Sequence, residues 1–436
     1  MEPTGFLSKP ADMEHHCVSR RCQLCRFTIL PGEAVIADIN GHLSTIFAST
    51  AVSHLDKGLR AVFRLCSHLC SHYKGQVPGY HAACLAYAYV IPSRQFLRAV
   101  AYEYEPGLAE DRRRRRRIRD LLADKIGQAY GFPLELCCMT ADELVCMSAV
   151  HTIQQVWGAR RSAGGQFDIS RGLWADYVHI DGLRYVANLF DRPGLSVGGS
   201  AVLSVDKASL VDVLYVLEDH LGVRQLVFGH QQQDITRSLV GVTKKRDQWW
   251  RTIVLSPVDR KLEAKSDGLK IRAIRSGSEP DAANMTWSLP ISPPVRDEIC
   301  LLPYAPYSSL PLRSQQMTAL DCNVPGVTGY SIGWAGNLMR IHAHHGGAGG
   351  EDLAVYRELG EYRSDVLWTH MPVEPGELIS EIWVRYGGEY AHMAVMVRGE
   401  SQVPPVGGRA TLIRDASANV PYHAAFSSSR PPEESA

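Results

Sequence analysis

The sequence predicts an α+β protein built in three stages: a small Cys/His-rich module, a short helical segment, and a large, mainly antiparallel β region of sandwich or prism-like form. Three observations predict it. Cys22-x-x-Cys25 and His81-x-x-Cys84 bracket the first stage, apolar residues at helical spacing mark the second, and from about Tyr177 the hydrophobic period changes to two. At 436 residues the chain has the length of about three ordinary domains.

The first unit is expected over residues 15–92. Two thiolates three apart wrap one side of a tetrahedral ion, and an imidazole–thiolate pair closes the other. Cys22, Cys25, His81 and Cys84 are therefore the candidate ligands of a structural Zn2+, weighed against four ordinary buried side chains. Between the pairs lies Cys66-Ser67-His68-Leu69-Cys70-Ser71-His72, where Cys66 and Cys70 are candidates for a second ion with a nearby histidine. Pro31-Gly32 predicts a turn into a short strand through Ala37, and a short helix is expected from Cys84 to about Tyr89. Knuckle, strand and ligand-bearing helix in this order resemble a treble-clef zinc module, and Tyr80-His81-x-x-Cys84 is similar to the second half of a LIM or PHD site. The 55 residues between Cys25 and His81 exceed a LIM spacer, so no partner specificity carries over.

Residues 94–158 are expected to be helical. Ile118, Leu121, Leu122, Ile126 and Ala129 form one apolar stripe, and upstream of it Arg112 to Arg117 run unbroken. Glu110 and Asp111 stand four residues before Arg114 and Arg115, the spacing of helix-surface ion pairs. The run reads as the solvated face of that helix, against the alternative of a nuclear-import or nucleic-acid patch. Lys plus Arg and Asp plus Glu each number 46, so nucleic acid is not expected as a partner outside this patch. Thr140-Ala141-Asp142-Glu143 has the form of a capping box and predicts a new helix, with Cys146, Ala149, Val150, Ile153 and Trp157 on its buried face.

A β-rich domain is expected over 170–290 and a second β-rich unit over 318–400. Tyr177–Ile180 and Leu183–Val186 flank Asp181-Gly182, which supplies the positive backbone angles of a primed hairpin turn. Strands are further predicted near Leu214–Leu217, Val223–Phe228, Trp249–Leu255, Leu269–Ile274, Tyr330–Trp334, Leu338–Ala343, Val366–Met371, Ile379–Tyr386 and Ala391–Val397. Residues 402–436, rich in Pro, Ser and Ala, are expected to be a disordered tail.

Catalytic signals are sparse. Gly329-Tyr330-Ser331-Ile332-Gly333 matches the G-x-S-x-G pattern of a serine hydrolase, but that elbow needs a helix directly after the serine, and Ala335-Gly336-Asn337 reads as a turn. His342 and His344 share one strand face without a second ligand pair. No phosphate-binding loop or dinucleotide fingerprint occurs, and an enzyme is not expected. The start lacks a basic segment followed by an apolar one, no apolar run approaches the ~18 residues of a membrane span, and the cysteines suit zinc in a reducing compartment. The expected location is intracellular, cytoplasm or nucleus, without membrane attachment.

Phe132-Pro133-Leu134-Glu135-Leu136 resembles the opening of an F-box segment, which docks a ubiquitin-ligase adaptor through a small helical bundle. Pro133, Glu135 and Leu136 are the positions the resemblance assigns to adaptor binding. More broadly, stretches such as Tyr177–Tyr185, Glu218–Phe228 and Pro372–Trp383 resemble a fungal family with a Cys-rich start, an F-box-like segment and a β-rich remainder, a family without an assigned activity. Ile379–Val384 followed by Gly387-Gly388 is weakly similar to jacalin-type lectins. These readings together imply a non-enzymatic interaction protein with a protein partner, a ubiquitin-ligase adaptor among the candidates. A carbohydrate-binding β domain is the alternative, and a hydrolase using Ser331 a further one.

Overall fold

The computed structural model describes residues 14–50, 53–66, 76–88, 93–104, 106, 108–159, 164–192, 200–208, 210–230, 248–276, 285–290, 315–321, 326–335, 337–345, 356, 366–374, 377–387, 391–399, 409–414 and 424–426. It is a mixed α and β structure with several antiparallel sheets.

Strands β1 (Glu14–Cys22), β2 (Ala34–Ile39), β3 (His42–Leu43), β4 (Phe47–Ala48), β5 (His54–Asp56), β6 (Ala61–Leu65) and β7 (Gln76–His81) form the first sheet, in the order β3-β2-β7-β1-β6-β5 with β4 also on β2. It is mixed, because β1 lies parallel to both β6 and β7. Gly32, at φ +93°, makes the expected Pro-Gly turn into β2. Gly79 of β7 has no room for a side chain, since a Cβ there would lie 2.6 Å from the Val18 side chain and 3.0 Å from the Ser19 carbonyl. That close approach seats the end of β7 against the end of β1, and it brings the two halves of the candidate metal site together.

Helix α1 (Ala82–Ala88) follows β7 directly, and α2 (Arg94–Val100) starts at Ser93, whose hydroxyl accepts the Phe96 N–H at 3.2 Å. Two long helices, α3 (Leu108–Tyr130) and α4 (Leu134–Ala159), then pack as an αα-hairpin. Gly131, at φ +66°, ends α3 by donating its N–H to the Gly127 carbonyl, and Pro133 stands just before α4 and accepts the Cys137 N–H at 3.0 Å. The helix start expected at Thr140 is therefore corrected: Thr140 is interior to α4. Cys137, Ala141, Val145, Ala149 and Ile153 are all buried at four-residue spacing, so one continuous apolar stripe holds the earlier turn in the helix and overrides the capping signal. By length and composition α4 passes the test for a membrane-crossing helix. Its buried stripe is shared with the rest of the chain, as in the core helices of globular proteins that pass the same test.

The arginine run forms the first half of α3, and its pairing differs from the expected i,i+4 set. Glu110 bonds Arg113 at 3.0 Å and Arg117 at 2.8 Å, and Asp111 bonds Arg21 of β1 at 2.6 Å. Arg114 is not solvated at all but buried, while Arg112 and Arg116 remain exposed. Of the predicted stripe, Ile118 is buried and Leu122 and Ile126 are half-buried; Leu121 and Ala129 are exposed, and Ala123 is buried in the hairpin instead.

The remaining chain is β-rich: β8 (Gly165–Asp168), β9 (Leu173–Ile180), β10 (Leu183–Phe190), β11 (Ser200–Leu203), a helical turn α5 (Val205–Ala208), β12 (Val213–Asp219), β13 (Gly222–Gly229), β14 (Trp249–Val254), β15 (Lys261–Ser266), β16 (Ile271–Ser276) and β17 (Met285–Trp287). Beyond them lie β18 (Gln315–Asp321), β19 (Val327–Ala335), β20 (Asn337–His345), β21 (Leu367–Pro372), β22 (Leu378–Gly387), β23 (Ala391–Gly399), β24 (Arg409–Arg414) and β25 (Ala424–Phe426). The sheets are ordered β10-β9-β11, β16-β15-β8, β13-β12-β14-β17-β18-β24-β25, β20-β19-β21 and β22-β23. The β9–β10 hairpin turns at Asp181 (φ +52°) and Gly182 (φ +78°), the primed turn predicted from Asp-Gly. Within residues 402–436, expected as a tail, β24 pairs with β18 and β25 pairs with β24, and the other residues lie outside those described.

Two large cores share the β9–β10 hairpin. Val178, Ile180, Tyr185 and Ala187 belong to a core that also holds Val18, Phe27, Phe63, Cys84, Phe96, Ile118 and Ile153. Ala175, Val186 and Leu189 of the same strands face the second core, with Ile169, Leu214, Ile253, Leu262 and Ile274. The packing is therefore continuous across residue 92, where the sequence placed the end of the first unit.

Candidate metal centre

The candidate ligands meet at the base of the first sheet. β1 ends on Cys22, a tight turn returns Cys25, β7 ends on His81, and Cys84 lies in the first turn of α1. Their ligand atoms all lie within 4.8 Å of one another, and all four residues are buried. The knuckle is held by Cys22 N–H to the Phe27 carbonyl at 3.0 Å, Arg26 N–H to the Cys22 carbonyl at 2.9 Å and Gln23 N–H to the Gly79 carbonyl at 2.9 Å. Arg26 sits at φ +63°, a left-handed position that a non-glycine residue takes here to close the loop, with its guanidinium bonded back to Gln23 at 2.7 Å.

The surroundings are those of a ligand set. His81 places Nδ1 3.3 Å from the Cys25 sulfur and 3.7 Å from the Cys84 sulfur, and its other nitrogen meets the Glu33 carboxylate at 3.2 Å. A carboxylate behind an imidazole fixes ring orientation and raises ligand basicity. The His81 backbone N–H donates to the Cys22 sulfur at 3.4 Å. Three sulfurs and one nitrogen, all on buried residues, fit the donor number of a four-coordinate ion.

One neighbour was not expected. Cys146 of α4, half-buried, packs against the core that holds Cys22, Cys25 and Cys84. The sequence placed Cys146 on the buried face of a helix, and no spacing motif separates it from the apolar residues around it, so only the fold reveals it. Without metal, the four thiols divide their protons unequally. Burial pushes Cys22 up, but hydrogen bonds from Cys25 and Cys84 and the nearby His81 outweigh it and hold Cys22 well below the usual thiol value. Hydrogen bonds from Cys25 and Cys84 bring Cys146 down to about 3. Burial first, then these same contacts, push Cys25 well up, and the bonds to Cys146 and Cys22 do the same to Cys84.

Other sequence candidates fall elsewhere. Cys66 is buried away from this cluster and accepts a hydrogen bond from Gln76 at 3.0 Å; Cys70 lies outside the described residues. Pro133, Glu135 and Leu136 are all exposed on the α3–α4 turn, and Tyr130, Phe132, Leu134 and Met139 are exposed beside them.

Ser331 lies in the middle of β19, which passes through one intervening residue into β20, so the helix a nucleophile elbow needs is absent. Its hydroxyl is 0% exposed and meets His344 Nε2 at 2.7 Å, His370 Nδ1 at 2.9 Å and Tyr356 Oη at 2.7 Å. Ser331 therefore sits in a buried polar cluster with two imidazoles and a phenol drawn from the neighbouring strands and Tyr356. Gly329 leaves space for this arrangement, since a Cβ there would lie 2.8 Å from the His370 ring. The G-x-S-x-G pattern thus lies on a strand whose Gly329 lets the His370 ring of the neighbouring strand pass close to it. No protein-family model, curated protein or solved structure matches the chain.

Proposed function

We propose that the chain is a non-enzymatic, intracellular interaction protein whose N-terminal half is held by a structural Zn2+ on Cys22, Cys25, His81 and Cys84. The observation that carries the reading is the buried, closed convergence of these four donors within 4.8 Å. A catalytic zinc takes three protein ligands and a water, whereas four protein donors converge here, the number of a structural site. Three thiolates favour zinc over the hard cations, and free thiols suit a reducing compartment such as cytoplasm or nucleus. Elemental analysis of the purified full-length chain is expected to find one zinc per molecule, and Cys25→Ser or Cys84→Ser to lose it. A metal-free chain with the same thermal midpoint before and after added zinc would overturn the reading.

The partner surface on this proposal is the tip of the α3–α4 hairpin. Tyr130, Phe132, Leu134, Leu136 and Met139 expose apolar side chains together there, around the Pro133, Glu135 and Leu136 positions of the F-box resemblance. Clustered exposed apolar residues on a soluble protein mark an interaction surface. The occupant proposed is a helical ubiquitin-ligase adaptor. Pull-down with the full-length chain is expected to recover adaptor and ligase scaffold, and Pro133→Ala with Leu136→Ala to lose both. Since these side chains are solvent-exposed, the double variant should keep its thermal midpoint within a few degrees; wild type that recovers no adaptor sinks this partner.

A further inference from the structure

His342 and His344 share a strand face without a second ligand pair in the sequence, and the fold brings further donors to that face. β19 is the middle strand of β20-β19-β21, and Ser331 pairs in register with His342 on one side and His370 on the other. Its Oγ lies 2.7 Å from His344 Nε2, 2.9 Å from His370 Nδ1 and 2.7 Å from Tyr356 Oη. The phenol oxygen is in turn 3.1 Å from the same His344 nitrogen. Two nitrogens and two oxygens, from three strands and Tyr356, thus converge. Ring packing holds them: His344 and Tyr356 are stacked 17° from parallel, and Trp368 meets Tyr356 edge-on with ring centroids 4.6 Å apart. The cluster has a buried floor, Ser331 and His344, and an exposed wall, His370, which opens it toward solvent.

We propose that His344, His370 and Tyr356, with Ser331 at the floor, form a second metal site that takes an exchangeable divalent transition-metal ion. Around a tetrahedral ion with bonds of about 2.0 Å, donor atoms stand about 3.3 Å apart, so these groups need only open by about half an ångström. Imidazole nitrogens suit Zn2+, Ni2+ and their neighbours, whereas Ca2+ and Mg2+ call for shells of oxygen alone. As the ion binds, the Tyr356 phenol gives its proton to solvent and Ser331 keeps its own. The four residues of the Cys/His cluster are all buried, but here one ligand is exposed, so this ion exchanges with the surrounding free metal. Bound, it ties β20 and β21 together across β19, a metal-responsive contact within the β region that does not depend on the N-terminal ion.

The test uses the full-length chain, saturated with Zn2+, dialysed, and then titrated with Co2+ by calorimetry and visible absorption. Zinc retained through dialysis reports on the cysteine centre, so the two readings stand or fall separately. One added equivalent of Co2+ is expected, with d–d bands and no sulfur-to-cobalt band. His344→Ala, His370→Ala and Tyr356→Phe should each weaken its binding at least about tenfold, the lower end of what loss of even a supporting partner costs a metal site. His345→Ala, one residue on and so on the opposite face of β20, should leave it unchanged. If His344→Ala does not fold, Tyr356→Phe decides, since it removes one oxygen and keeps the ring. No added equivalent, a sulfur-to-cobalt band in its place, or binding undiminished in Tyr356→Phe overturns the proposal and leaves the cluster as hydrogen bonds joining three strands. Equal weakening in His345→Ala overturns it as well.

Discussion

Arg114 joins three parts of the molecule through one guanidinium. It is 3% exposed, and it donates to Asp181 at 2.6 Å, to the Cys25 carbonyl at 2.7 Å and to the Tyr102 hydroxyl at 3.0 Å while lying over the Phe27 ring. Asp181 is itself buried in the left-handed turn of the β9–β10 hairpin, so the ion pair ties the metal knuckle, α3 and the β region together. Removing one partner of a buried pair leaves the other charged and desolvated, and Arg114→Met should cost about 3–5 kcal/mol in urea unfolding. Arg114→Lys should recover little of it, because one ammonium cannot reproduce the fork. Arg116→Met, on the exposed side of the same run, should stay within about 0.5 kcal/mol. Equal effects at 114 and 116 would show that the run acts only as a charged surface. His220, nearby, is buried edge-on to Tyr102 with neither ring nitrogen hydrogen-bonded. Burial, only partly opposed by Asp219, Glu110 and Asp111, lowers its pKa from 6.5 to about 4. The unfolded chain therefore takes up this proton first as pH falls. Stability from neutral His220 is full above pH 6.5 and is lost progressively toward pH 4, about 3 kcal/mol in all. His220→Phe should flatten that part of the urea-midpoint profile between pH 7 and 4.5; an unchanged slope would place the acid sensitivity elsewhere.

At the scale of elements, what was legible depended on whether the signal was local. Asp181-Gly182 dictates its own turn, and the hairpin appears where the sequence puts it. Cys22-x-x-Cys25 and His81-x-x-Cys84 are likewise self-contained pairs, and the fold brings them together. Thr140 failed as a helix start because a capping box is worth only ~1 kcal/mol, less than burial of the Cys137, Ala141 and Val145 stripe that runs past it. The short strands β5 and β6 and the parallel pairing of β1 were not legible, since each is fixed by partners far along the chain. Cys146 and the Ser331 cluster belong to the same class: their surroundings come from side chains on other elements. The helix reading also carries a prediction. Ala141→Gly in the middle of α4 should destabilise by about 1 kcal/mol from backbone entropy, plus the packing lost against Ala123 and Cys137. A second helix starting at Thr140 would instead place this substitution in a first turn, where glycine costs only a few tenths of a kcal/mol, so the size of the effect separates the two arrangements.

Across the whole molecule, the candidate metal centre is not sealed inside a separable module. Its cysteines share a core with Phe96 of α2, Ile118 of α3, Val145, Ala149 and Ile153 of α4, and Val178 and Tyr185 of the β9–β10 hairpin. Outside this cluster, the ammonium of the buried Lys270 donates to the Ala99 carbonyl at the end of α2 and to Asp267 at 3.0 Å, adding a polar link between the helices and the β region. The second core, centred on Leu214, Ile253, Leu262 and Ile274, lies on the opposite faces of β9 and β10 and contains none of the ligands. Because binding energy at a structural zinc site is folding energy, stripping the proposed ion should loosen the first core and spare the second. Hydrogen exchange on the full-length chain, before and after chelation, should show protection falling in β1, β7 and α1 and also through residues 145–153 of α4. Strands β12, β14, β15 and β16 should keep theirs. Loss confined to residues 22–28 and 81–85 would mean that the centre is local after all. Loss extending evenly into β12 and β15 would mean that the two cores unfold as one. The graded pattern is expected because β9 and β10 give one face to each core, so their packing on the second survives when the first is released.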